Sequence, residues 1–115
     1  RPGYCYTIPF VHCDARVEFD GEPVLAEGGS LPVRIRFFNR VHEVKHLHLT
    51  FYLPEGLKLT GARRDLYLPH QEGREAVWEA VVTAEGPVGS VNRILVEAAA
   101  DGHPVAGYIP ITIIG

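Results

Sequence analysis

The chain has 115 residues, 46% hydrophobic and 22% charged, with 12 Gly, 9 Pro and a formal net charge of −3. That length holds one domain with a real core and leaves no room for a second, and the apolar content excludes a disordered chain. A balance of 11 basic to 14 acidic side chains argues against nucleic acid as the main partner, and no apolar run is long enough for a membrane helix.

The opening residues 1–12 carry aromatics and prolines but alternate poorly, so they are expected to be a linker or the end of a preceding domain, with the main domain over 13–115. The chain contains no Met and begins Arg1-Pro2-Gly3, from which we expect a piece of a longer protein. No charged n-region and apolar h-region of a signal peptide opens it. Cys5 and Cys13 are too few for a disulfide scaffold and are expected to be free, buried thiols, in keeping with a cytoplasmic setting.

From residue 15 onward the hydrophobic period is two. Ala15-Arg16-Val17-Glu18-Phe19 leads into the turn Asp20-Gly21-Glu22-Pro23, and Gly28-Gly29-Ser30 turns into Leu31-Pro32-Val33-Arg34-Ile35-Arg36-Phe37. Residues 47–53 alternate again and stop at Pro54-Glu55-Gly56. Short runs at 57–60 and 66–68 follow, then 76–83, which Glu85-Gly86-Pro87 bounds. Residues 91–99 lead into Asp101-Gly102-His103-Pro104, a hairpin turn, and into a last strand over 105–113, where Pro110 marks an edge or a bulge.

Roughly seven to nine short strands with frequent turn signals predict an all-β antiparallel sandwich with one face of each sheet buried. The expected core is Val33, Ile35, Phe37, Leu47, Leu49, Phe51, Leu53, Trp78, Ala80, Val82, Ile94, Val96, Ile109, Ile111 and Ile113.

One enzyme motif matches by letter: His42-Glu43-Val44-Lys45-His46 spells H-E-x-x-H. In zinc proteases a helix brings the two His together, but here strand alternation starts at Leu47, and an extended chain separates residues four apart by roughly 13 Å. We therefore expect no catalytic zinc site. His46 and His48 share a strand face and read as a solvated polar face with opportunistic metal affinity at most. Glu72 and Glu75 read as an exposed loop pair, and neither a G-x-S-x-G elbow nor a phosphate-binding loop is present. No catalytic, cofactor-binding or metal-ligating residue is assigned.

Four residues are candidates for contact with a ligand or partner. Arg34 and Arg36 share a face within a basic stretch that includes Arg40, Lys45, His46 and His48, with Glu79 as a cross-strand partner for the arginines. Such a face suits an acidic neighbouring domain or a phosphate, and Arg63-Arg64 is a loop pair of the same kind. Tyr52 falls on the polar side of its strand and Tyr67 lies between Leu66 and Leu68, so either suits sugar stacking, whereas Trp78 shares parity with Ala80 and Val82 and belongs in the core.

Asn39 ends one strand, and Leu53-Pro54-Glu55-Gly56-Leu57-Lys58-Leu59 then follows, with Ile109-Pro110-Ile111-Thr112-Ile113 near the end. This pattern, over about residues 24–113, resembles the immunoglobulin-like accessory domains of the NEW3 type appended to bacterial glycoside hydrolases. Residues 3–12 and Val91-Asn92-Arg93 are in turn similar to the C-terminal region of bacterial ADP-ribosylglycohydrolase-like proteins. The resemblance implies an immunoglobulin-like sandwich that is not itself an enzyme, needs no cofactor, and packs against a neighbouring domain of the same chain. The alternative it implies is a carbohydrate-binding module working through Tyr52 and Tyr67.

Overall fold

A computed structural model describes residues 5–10, 13–39, 46–68, 75–102 and 105–115. Its strands are β1 (Cys5–Phe10), β2 (Cys13–Glu18), β3 (Ser30–Asn39), β4 (His46–Tyr52), β5 (Leu57–Thr60), β6 (Asp65–Tyr67), β7 (Glu75–Ala84), β8 (Val91–Ala100) and β9 (Val105–Ile114). There is no helix among the described residues.

Two sheets result. Sheet A has the order β1-β2-β3-β7-β5 and sheet B the order β6-β4-β8-β9, and their strands pair antiparallel throughout. Without β1 and β6, the orders read β2-β3-β7-β5 and β4-β8-β9, the ABED and CFG arrangement of an immunoglobulin sandwich. The chain is therefore an all-β, immunoglobulin-like antiparallel β-sandwich, as the alternation predicts.

Alternation supplies the core. Val33, Ile35 and Phe37 from β3, Trp78 and Val82 from β7, and Ile94, Val96, Ile109, Ile111 and Ile113 from β8 and β9 are all buried between the sheets. Trp78 is wholly buried. Its indole N–H donates to the Arg63 carbonyl at 3.0 Å, and the Arg63 guanidinium donates back to the Val77 carbonyl at 2.7 Å. The loop between β5 and β6 is thereby tied to the centre of β7, which gives Arg63 a structural task.

Residues 5–10, within the stretch expected to be a linker or the end of a preceding domain, form β1, which pairs along all of β2 as the edge of sheet A; an edge strand need not show a clean apolar stripe. Two expectations need correction. Cys13 is buried as expected, but Cys5 is exposed, and neither is in a disulfide. Phe51 and Leu53 are only partly buried against the core. The reason is local: β6 pairs only His46–His48 of β4, and among the described residues no strand pairs with the far end of β4 on that side. Phe51 still stacks on Trp78 with ring centroids 5.5 Å apart.

The prolines and glycines act as punctuation. Pro32 lies on central strand β3 but beyond the stretch that β2 pairs, where no ladder donor is needed on that side. Pro110 lies on edge strand β9. Pro54 follows the end of β4, and Gly56 takes a φ of 89° that lets the chain turn into β5 in the other sheet. A side chain at Gly56 would also come within 3.2 Å of the Pro87 carbonyl, because Glu85 N–H donates to the Gly56 carbonyl at 2.7 Å and draws the two turns together.

Candidate functional site

The outward residues of each sheet define two surfaces. On sheet A, β2 and β3 place Glu18 directly opposite Arg34 and Arg16 opposite Arg36. The Glu18 carboxylate is largely buried under guanidinium groups. It accepts from Arg34 at 3.0 Å and from Arg36 at 2.9 Å through one oxygen, and Arg16 lies 3.1 Å from the other. Arg34 also reaches Asp20 at 3.4 Å, and Arg36 pairs with Glu75 from β7. Three guanidinium groups thus meet three carboxylates. Glu79 stands opposite Arg34 in register, yet the arginine turns to Glu18 and Asp20.

Burial pushes the Glu18 carboxyl up, but hydrogen bonds from Arg36 and Arg34 outweigh it and hold the group below its ordinary range. The same bonds to Glu18 raise both arginines. A shallow groove of about 350 Å³ opens beside this lattice, lined by Asp20, Pro32, Arg34, Thr60 and Glu79 among others. Arg34 and Arg36 therefore come together as the sequence predicts, but with their charge already answered.

On sheet B, β4 turns His46, His48 and Tyr52 outward, and β6 adds Asp65 and Tyr67. One Asp65 oxygen bonds both imidazoles, His46 Nε2 at 2.8 Å and His48 Nδ1 at 3.1 Å. Hydrogen bonds from His48 and then His46 hold the Asp65 carboxyl below its ordinary value. Tyr67 stacks on the His46 ring with centroids 4.8 Å apart. The start of β4 is fixed to the β8–β9 turn, where Asp101 accepts from the His46 N–H at 2.9 Å and donates its own N–H to the His46 carbonyl at 2.8 Å. Asp101 and Gly102, with φ of 49° and 78°, turn that chain as the Asp-Gly pair predicts.

Further along the same face, Tyr108 of β9 stands directly opposite Glu97 of β8, and Tyr52 lies diagonal to it from β4. The Tyr52 hydroxyl is 3.5 Å from the Glu97 carboxylate. Tyr108 is raised above its ordinary pKa, first by burial and then by the charge of Glu97 and a hydrogen bond to it. Tyr52, Tyr67 and Tyr108 are 51%, 73% and 48% exposed, so this is an open aromatic surface. The sequence reading names Tyr52 and Tyr67 but not Tyr108 or Glu97. The parity that buries Ile109 and Ile111 already turns Tyr108 outward, and that signal was enough to find it.

His42, Glu43, Lys45, Arg40 and Glu72 lie outside the described residues, and with them most of the H-E-x-x-H match. Among the described residues no group of three or more His, Cys, Asp or Glu is arranged to hold a metal ion, and no helix is long and apolar enough to cross a membrane. Asn92, from the Val91-Asn92-Arg93 run, has a structural part. Its amide accepts from Gly89 N–H at 3.1 Å and donates to the Gly89 carbonyl at 2.8 Å, closing the turn into β8.

Neither a family model nor a curated protein matches the sequence. Among solved structures, the chain is similar to a FixG-related protein from Vibrio parahaemolyticus, at 8% identity and a TM-score of 0.65, over 90% of this chain and 96% of that one. The GAE domain of GGA2p from Saccharomyces cerevisiae aligns at 9% identity and a TM-score of 0.47, over 97% of this chain and 96% of that one. At such identities the first likeness concerns the fold alone.

Proposed function

We propose that the chain is a non-catalytic interaction module that docks a neighbouring domain of the same protein through the outer face of sheet B. The observation that carries this reading is the set of three exposed tyrosines, Tyr52, Tyr67 and Tyr108, on one sheet face. Tyrosine gives large, rigid contact area with a polar tip, and it is enriched where proteins meet. The outer face of sheet A offers less, because Arg34 and Arg36 are already held by Glu18, Asp20 and Glu75. The resemblance to NEW3-type domains, carried by the Leu53–Leu59 turn and the final strand, supports an accessory place beside a bacterial glycohydrolase-type enzyme. Cys5 and Cys13, which form no disulfide with each other, fit a cytoplasmic setting.

Tetranitromethane footprinting tests the docking face. Nitration of Tyr52, Tyr67 and Tyr108 is expected to be several-fold slower in the full-length gene product than in this domain alone. Equal rates at all three would remove the reading. A carbohydrate-binding module is the second reading, favoured by the same exposed tyrosines on one face. Calorimetric titration with a panel of soluble polysaccharides separates the two: heats that vanish in Tyr52→Ala and Tyr67→Ala support it, and flat titrations exclude it.

A further inference from the structure

We propose that Tyr52, Glu97 and Tyr108 form a receptor for an arginine side chain of the docked partner, an inference that rests on sheet B being the docking face. Glu97 sits on β8, flanked by Tyr52 on β4 and Tyr108 on β9. It is half-buried, while both rings remain about half exposed. The phenol hydroxyls satisfy part of the carboxylate's hydrogen-bonding capacity but leave its charge standing. Among the described residues no Lys or Arg forms an ion pair with Glu97; the arginines of β2 and β3 are held on the opposite sheet. Arg93 is the next cation down β8, four residues away, or about 13 Å along an extended strand.

A carboxylate with no cationic partner among the described residues, beside two half-exposed phenol rings, is complementary to a cation that can use both the charge and the rings. Arginine fits better than lysine. Its planar guanidinium pairs with the free lone pairs of a carboxylate, stacks on tyrosine, and gives up hydration more readily than an ammonium. A neutral sugar could stack on the rings and donate hydroxyls to the carboxylate, but it would leave the charge unpaired. The phenol of Tyr108 already responds to that charge, since Glu97 contributes to its raised pKa.

The test uses N-acetylarginine amide as the probe and N-acetylcitrulline amide as its uncharged isostere, followed by NMR of the tyrosine ring signals. The arginine amide is expected to shift Tyr52 and Tyr108 signals with at least about tenfold higher affinity than the citrulline amide, and added salt is expected to narrow the gap. Glu97→Gln is expected to abolish the preference while the remaining spectrum stays dispersed. Tyr108→Phe, which keeps the ring, is expected to retain most of it. An equal response to both amides, or an arginine preference that survives Glu97→Gln, would overturn the receptor. A face protected from nitration but indifferent to arginine keeps the docking reading and removes this one; an unprotected face removes both.

Discussion

On the outer face of sheet A, Glu18 meets the guanidinium groups of Arg16, Arg34 and Arg36, while on the outer face of sheet B, Glu97 meets the phenols of Tyr52 and Tyr108. Both carboxylates sit on a strand flanked by two others, and both have hydrogen bonds. They differ in whether the charge is cancelled. Glu18 is enclosed and its charge is spread over a lattice that closes with Asp20 and Glu75. Glu97 keeps its charge beside exposed rings. Charge clustered in the sequence is thus a poor guide to where a partner binds, because the fold decides which clusters neutralise each other. The acidic stretch around Glu18 and the basic stretch around Arg34 look like separate patches, yet the β2–β3 pairing lays one over the other.

The largest expected effect lies in the core that both faces share. Trp78→Ala is predicted to destabilise the domain by about 3–5 kcal/mol, since it empties a wholly buried site and breaks the bond to the Arg63 carbonyl. Chemical denaturation measures it. A loss under about 0.5 kcal/mol would mean the indole is not the shared support of the two sheets.

Glu18→Gln is next and sharpens the contrast directly. Removing the charge leaves Arg34 and Arg36 on a crowded face with one carboxylate each, so a loss of about 1–3 kcal/mol is expected by urea denaturation. The same group predicts a pH dependence. The folded Glu18 carboxyl lies below its ordinary value of 4.5. Its contribution is therefore complete above that value and is lost as pH falls through the lower, folded one. Denaturation midpoints should drop on acidification below about pH 4.5, and the drop should be smaller in Glu18→Gln. An identical acid profile in the variant would show that the lattice contributes nothing.

Gly56→Ala tests a smaller link, the turn that carries the chain from sheet B to sheet A. A positive φ and the nearby Pro87 carbonyl both oppose a side chain there, so a loss of about 1–2 kcal/mol is expected. Full stability in the variant would mean that the turn relaxes freely.

How much of this was legible beforehand follows from what is local. Strands β3 and β4 are written in the alternation of residues 31–37 and 47–53, and Asp101-Gly102 announces its own turn. The edge strand β1 was not legible, because partnering with β2 rather than a core stripe defines it. Tyr52 and Tyr67 could be placed outward from parity, but not side by side on one sheet. That needs the strand order, which joins β6 to β4 and β4 to β8. Glu97 beside Tyr108 is likewise a matter of register between β8 and β9, and Glu18 beneath Arg36 is a contact across 18 residues. Non-local pairing is set by the whole sheet, and no window of sequence contains it.

The smallest expected effect on stability falls on sheet B, and it is the one that separates the two faces most sharply. Glu97→Gln keeps the shape of the side chain and its capacity to accept from phenols, and no ion pair of the described residues depends on it. Stability should change by less than about 0.5 kcal/mol, against the larger loss at Glu18. The electrostatic effect should nevertheless be visible in Tyr108. Burial and the charge of Glu97 both disfavour its phenolate, so the group titrates above its ordinary value of 10.0. Removing the charge leaves burial and the lesser influence of Tyr52, so the Tyr108 pKa should move down toward 10.0 in Glu97→Gln. Ring-carbon shifts of Tyr108 followed over alkaline pH measure this. If Tyr108 titrates identically in both proteins, Glu97 exerts no field on the surface, and the charge contrast between the two faces disappears.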